Sequence, residues 1–153
     1  MKLTEYLPPT LVKVPLDSAD KTGAITELVD LVASQNLTTS RDALLKSVLE
    51  REAQRSTGVG KGFAIPHAKT DAVSRLVVAM GRTKLPIPFG AIDGQPVELI
   101  ALLASPTTAT SLHIQTLARL SKLVTNSAAL ARILSAKTPE EIYAQIVATE
   151  AES

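Results

Sequence analysis

The stretch R-E-A-Q-R-S-T-G-V-G-K-G-F-A-I-P-H, Arg51–His67, decides how this chain is read. Before it, apolar residues recur with a helical period. Leu44, Leu45, Val48 and Leu49 share one face of a segment that starts near Thr39-Ser40 and runs into Glu50-Arg51-Glu52. The glycines at 58, 60 and 62 break that segment. After them the period changes: Phe63-Ala64-Ile65, Leu76–Met80 and Val97–Leu103 are short apolar runs bounded by turn residues, which is strand patterning. A switch from helix to strand within one chain predicts an α/β fold.

Working outward from this break, Leu3–Leu7 reads as a short helix or strand stopped by Pro8-Pro9, and Leu11–Val14 as a strand ended by Pro15. Asp17-Ser18 supplies capping chemistry for a helix whose Ile25, Leu28, Val29 and Val32 fall on one face, with Asn36 as its stop. Downstream, the prolines around Ile87 allow Ile87–Phe89 at best an edge strand, and Asp93-Gly94 marks a turn. From Thr110 the helical period returns through Leu117, Leu120 and Val124. Asn126-Ser127 interrupts it, Ala128–Leu134 forms a short helix, and Thr138-Pro139-Glu140-Glu141 caps a last one. The chain shows no repeat or linker, so 1–153 reads as a single α/β domain.

Composition narrows the chemistry. The 153 residues carry 16 Lys+Arg against 15 Asp+Glu, a balance without the basic excess of a nucleic-acid binder. Aromatic residues make up only 3%, too few for stacking platforms. No stretch approaches the ~20 apolar residues of a membrane span, and the opening residues lack a signal peptide's apolar run, so a cytoplasmic protein without membrane insertion is the expectation. Absence of cysteine excludes disulfides, thiolate nucleophiles and cysteine-ligated metals. Nucleophilic chemistry falls to two histidines, the carboxylates or the hydroxyls.

Both histidines sit where chemistry is feasible. Pro66 biases Ile65 toward extended backbone, so the strand should run out near His67 and hold its ring at a strand end beside the glycine loop. Arg51, seven residues after Leu44, lies on the flank of its helix's apolar face and offers a planar fork for phosphate or carboxylate. His113, Leu117, Leu120 and Val124 share a helical face, which points His113 at the sheet. Strand ends and helix starts meet on one rim of an α/β domain, so His67 and His113 are candidate neighbours. Histidine with arginine is a minimal phosphoryl-accepting pair. Taken singly, each residue also has an ordinary role: a surface histidine, a hydrogen-bonded core histidine, a solvated arginine. Zinc is not expected, because no third ligand stands at compact spacing. Nor is a nucleotide loop: Gly58–Gly62 lacks the Ser or Thr of a P-loop and precedes a strand, although its amides remain candidates for anion binding.

The segment R-E…S-T-G-V-G-K-G-F-A-I-P-H-A-K-T resembles the signature of the fructose/mannitol/nitrogen-regulatory type IIA domain of the bacterial phosphoenolpyruvate-dependent phosphotransferase system (EIIA type 2). The resemblance continues through I-P-F-G-A-I-D-G-Q-P-V and S-L-H-I-Q-T-L-A-R-L-S-K-L to K-T-P-E-E-I, and so covers essentially the whole chain. It implies a mixed β-sheet flanked by helices on both faces. It also implies that His67 accepts a phosphoryl group, at Nε2, from the phosphohistidine of HPr or a nitrogen-branch relative, with Arg51 binding phosphate and His113 as the second active-site histidine. By the same resemblance the phosphate passes to a IIB cysteine on a separate chain that loads a sugar, or the phosphorylated state regulates target proteins. No cofactor is implied. Ala68, where many relatives have Gly, resembles the fructose branch, while a chain without IIB or IIC segments also fits the nitrogen-regulatory branch. A carrier of this kind needs a docking face, and Phe63, Ile65 and Leu112 are candidates to border an apolar patch around His67.

Overall fold

Every residue of Leu99–Ser105 is buried, which requires a strand covered on both faces. In the computed structural model, which describes residues 1–151, this run lies within β6 (Val97–Ser105) of a mixed sheet. The other strands are β1 (Val12–Leu16), β2 (Gly58–Gly60), β3 (Phe63–Ala64), β4 (His67–Lys69) and β5 (Val77–Ile87). The helices are α1 (Lys21–Ser34), α2 (Arg41–Gln54), α3 (Thr110–Thr125), α4 (Ser127–Ser135) and α5 (Pro139–Ala151). Strand order is β1-β5-β6-β3-β2, with β4 also pairing to β6. β5 runs antiparallel to β6, while β1 on β5 and β3 and β4 on β6 are parallel. The expected α/β domain with a mixed sheet and helices on both faces is what forms. The expectation of one domain over 1–153 extends past the described residues at its last two positions.

Helix α1 places Ile25, Leu28, Val29 and Val32 in the core at 0% exposure, as their period requires. Its cap is Asp20, whose side chain accepts from Gly23 N at 2.7 Å, rather than Asp17 or Ser18. The amides of Asp17 and Ser18 instead donate to Glu27, at 2.9 and 2.8 Å. Ser40 caps α2, which starts where the sequence placed it, and Thr138 Oγ1 accepts from Glu141 N at the start of α5. The side chain of Val124 lies outside what the structure describes.

Two strands are longer than expected, for one reason. β1 continues through Pro15 to Leu16, because it is an edge strand whose other side needs no N–H donors. β5 runs through Pro86 and rejoins β6 at Ile87↔Val97, beyond the last residue that pairs with β1, where it too is an edge.

The glycine segment is not a loop. It folds as a hairpin, β2 pairing with β3 around Gly60-Lys61-Gly62, whose φ values of 99, 56 and 80° are all left-handed. Helix α2 has already ended at Gln54, so the glycines do not terminate it. Gly58 is there for space: a Cβ would stand 2.6 Å from Cβ and 2.8 Å from Cα of Ala91.

Candidate active site

The strand expected to run out at His67 breaks just before it. β3 and β4 lie end to end along the same edge of β6, paired at Leu99–Ile100 and at Leu103–Ser105. Between them, Ile65 N donates to Thr57 O at 3.0 Å, and Pro66, which has no N–H, offers only its carbonyl, taken by Leu103 N at 3.0 Å. His67 therefore opens a new strand on the sheet's edge, half-buried. Its Nδ1 lies 2.7 Å from Ile65 O. A carbonyl can only accept, so Nδ1 carries the hydrogen and the neutral ring keeps its lone pair on Nε2. Burial holds the His67 pKa below its ordinary value. Arg51 pushes the same way, and the Ile65 carbonyl and Glu52 oppose them.

His113 lies in the first turn of α3 and is buried, with its ring centroid 5.6 Å from that of His67 and the planes at 62°. The sequence reading that brings the two histidines together is met. Burial, with smaller contributions from His67 and Lys69, pushes the His113 pKa down to about 4, so this ring is neutral at pH 7. Its Nδ1 is 2.5 Å from Ser105 Oγ.

Arg51, in the last turn of α2, completes the cluster. Its Nη1 donates to Arg55 O at 3.2 Å, and among the described residues it forms no ion pair with a carboxylate. A guanidinium without a carboxylate partner leaves its charge available to an anion. Arg51, His67 and Leu117 border two adjoining clefts, of about 560 Å³ with Arg55, Val59 and Ile92, and of about 450 Å³ with Lys69 and His113.

One expectation fails on burial. Phe63, within the buried strand β3, and Ile65, just after it, are 0 and 2% exposed, and Leu112 is half-buried against the core. Val59 and Ile92, 40 and 79% exposed, border the same cleft as His67 and reach solvent. The hairpin amides are also less free than a loop's. Thr57 N donates to Glu52, Gly58 N to Ser56 Oγ and Lys61 N to Asp93.

Sequence reading missed Glu52 and Ser105. Glu52, within a charged run, has its side chain only 4% exposed and accepts from Thr57 N at 3.0 Å, from Thr57 Oγ1 at 2.5 Å and from Lys21 Nζ at 2.6 Å. Ser105 is a polar residue ending the apolar run Leu99–Ala104, and that mismatch was the available signal.

Fold and cluster together bring two histidines and an arginine to one cleft at the sheet's edge. The chain belongs to the family described as "Phosphoenolpyruvate-dependent sugar phosphotransferase system, EIIA 2", which it matches over residues 5–148. It is 37% identical over 148 residues to the fructose-specific EIIA component of Haloferax volcanii, covering 95% of this chain and 96% of that one. It is 34% identical over 125 residues to the nitrogen regulatory protein of Escherichia coli, covering 81% and 77%. The chain spans only 22% of the length of the fructose-specific EIIABC component of Bacillus subtilis, at 35% identity. Among solved structures, the nitrogen regulatory protein IIA-Ntr of Neisseria meningitidis superposes with a TM-score of 0.87 at 28% identity, over 94% of this chain and 98% of that one.

Proposed function

We propose that this chain is a phosphohistidine carrier, with His67 as acceptor, Arg51 and His113 as phosphate-binding groups, and an HPr-like phosphohistidine as donor. The observation that carries this reading is the hydrogen bond from His67 Nδ1 to Ile65 O, which leaves the Nε2 lone pair free beside Arg51. In transfer, the Nε2–P bond forms as the donor's P–N bond breaks, and the electron pair leaves with the donor imidazole. His67 keeps its Nδ1 hydrogen on the Ile65 carbonyl, which stabilises the charge that the phosphorylated ring acquires. The transition state is loose, with charge on the phosphoryl oxygens, so Arg51 and a donor N–H from His113 matter more than proton transfer. Val59 and Ile92 supply exposed apolar surface for the brief contacts that such a relay needs.

The onward acceptor in this reading is a IIB cysteine, which lies outside this cysteine-free sequence, in fructose-type sugar uptake. Similarity to the fructose-specific component of H. volcanii over nearly its full length supports that branch. The second reading is a nitrogen-regulatory role, in which phosphorylation state controls target proteins without sugar transport. The likeness to IIA-Ntr supports it. Onward transfer separates the two. The protein is phosphorylated with enzyme I, HPr and phosphoenolpyruvate, then offered purified IIB domains. A phosphocysteine on a fructose-type IIB supports uptake; phosphorylation without transfer to any IIB supports regulation.

A further inference from the structure

Ser105 ends β6 and is 0% exposed. It sits two residues beyond Leu103, the register partner of His67, and pairs in register with Lys69. The pleat therefore puts its side chain on the same side of the sheet as His67. Its hydroxyl is 2.5 Å from His113 Nδ1 and has no other hydrogen-bond partner among the described residues. Two arrangements satisfy that distance. If Nδ1 carried the ring proton and donated to Oγ, the hydroxyl hydrogen would be buried without an acceptor, an expensive omission. If the hydroxyl donates to the Nδ1 lone pair, both groups are satisfied, and the proton of the neutral ring must sit on Nε2. Nε2 makes no hydrogen bond within the described protein, and the ring borders the cleft it shares with His67, Arg51 and Lys69.

We infer that Ser105 is a positioning residue: its hydroxyl locks His113 in the tautomer protonated at Nε2, so that a neutral ring presents a donor to the phosphoryl group on His67. This rests on the phosphocarrier reading, because the lock matters to function only if an anion arrives beside His67. Without it, a neutral His113 samples the tautomer that presents an Nε2 lone pair to the phosphoryl oxygens, and that tautomer repels them. A hydroxyl at the end of β6 thereby sets the sign of an interaction made by a residue on another element, which is the usual way outer partners tune a histidine.

The test uses the full chain labelled with 15N at histidine. Long-range proton–nitrogen spectra at pH 7 report which nitrogen of each ring is protonated, and need no phosphate. For the unaltered protein the expected pattern is an unprotonated Nδ1 and protonated Nε2 in His113, with the opposite pattern in His67. In Ser105→Ala the His113 nitrogens are expected to move toward averaged, mixed-tautomer positions while His67 keeps its pattern. Transfer from phosphorylated HPr is expected to slow by about tenfold in Ser105→Ala, the scale of one lost hydrogen bond. It should slow no further when Ser105→Ala is added to His113→Ala, because Ser105 acts through that ring. A His113 protonated at Nδ1, a tautomer unmoved by Ser105→Ala, or a full tenfold effect persisting without His113 would each overturn the inference. A chain that takes no phosphate but shows the tautomer switch overturns the functional reading and leaves the Ser105 lock standing.

Discussion

Glu52→Ala is the most informative perturbation of the scaffold that presents the histidine. The carboxylate is buried and accepts from the amide and hydroxyl of Thr57 and from Lys21 Nζ. Thr57 is itself 6% exposed, so truncating Glu52 leaves its amide and hydroxyl without partners. Each orphaned buried donor costs about 1–3 kcal/mol. The Lys21 side chain is 29% exposed, bonds Phe89 O at 3.1 Å and can regain water, so the ion pair adds little beyond this. A loss of about 3 kcal/mol follows, at the lower edge of what breaking a buried ion pair usually costs. With a urea slope of about 2 kcal/mol per molar, the unfolding midpoint should fall by about 1.5 M. Glu52→Gln, which keeps an acceptor for the Thr57 amide, should lose about half as much. The effect should also reach the site, since Thr57 O holds Ile65 N and Ile65 O holds His67. Urea unfolding followed by circular dichroism measures the loss. A fall under about 1 kcal/mol for Glu52→Ala would mean that Thr57 does not depend on this carboxylate, because two orphaned donors alone exceed that.

Other perturbations separate chemistry from scaffold. Arg51→Ala should slow phosphoryl gain from HPr by about a hundredfold in rapid-quench measurements. Arg51→Lys should recover only part of that, since a point charge cannot form the bidentate fork. Gly58→Ala drives a Cβ to 2.8 Å from the Ala91 Cα, a backbone contact that cannot swing away, and should cost about 1–3 kcal/mol and lower the melting temperature by several degrees. His113 should impose a pH dependence of known sign. Its ring stays neutral in the fold down to about pH 4, whereas in the unfolded chain it takes a proton below about pH 6.5. Stability from neutral burial is therefore full above pH 6.5 and falls by about 3 kcal/mol as pH drops to 4. Unfolding titrations of His113→Gln should lack that component of the slope.

How far the sequence could be read follows from which forces are local. The α1 face was legible because Ile25, Leu28, Val29 and Val32 state their period directly, and Thr138 was legible as a cap because capping involves residues three apart. Pro15 and Pro86 misled, because proline's missing donor is harmless on a strand edge and edge status is a property of the whole sheet. The glycine hairpin was hidden by the shortness of β2 and β3, whose pairing depends on β6 more than on their own propensity. Phe63 and Ile65 were candidates for a surface patch because nothing in their own segment reveals cover from both sides. At the site, His67, Arg51 and His113 were found from residue chemistry and family resemblance, and the structure places them together. Glu52 and Ser105 were missed because a buried carboxylate in a charged run looks like a solvated one, and because a serine's partner is invisible until the fold brings α3 over β6.

The central claim is that His67 Nε2 receives the phosphoryl group, and one labelling measurement addresses it. The protein is incubated with enzyme I, HPr and phosphoenolpyruvate, and phosphate is located by phosphorus NMR and by mass spectrometry under alkaline conditions that preserve phosphohistidine. A single acid-labile phosphate is expected on Nε2 of His67, gained more slowly in His113→Ala and absent in His67→Ala. Acid-labile phosphate retained by His67→Ala, or carried on Nδ1 of His67, would contradict it.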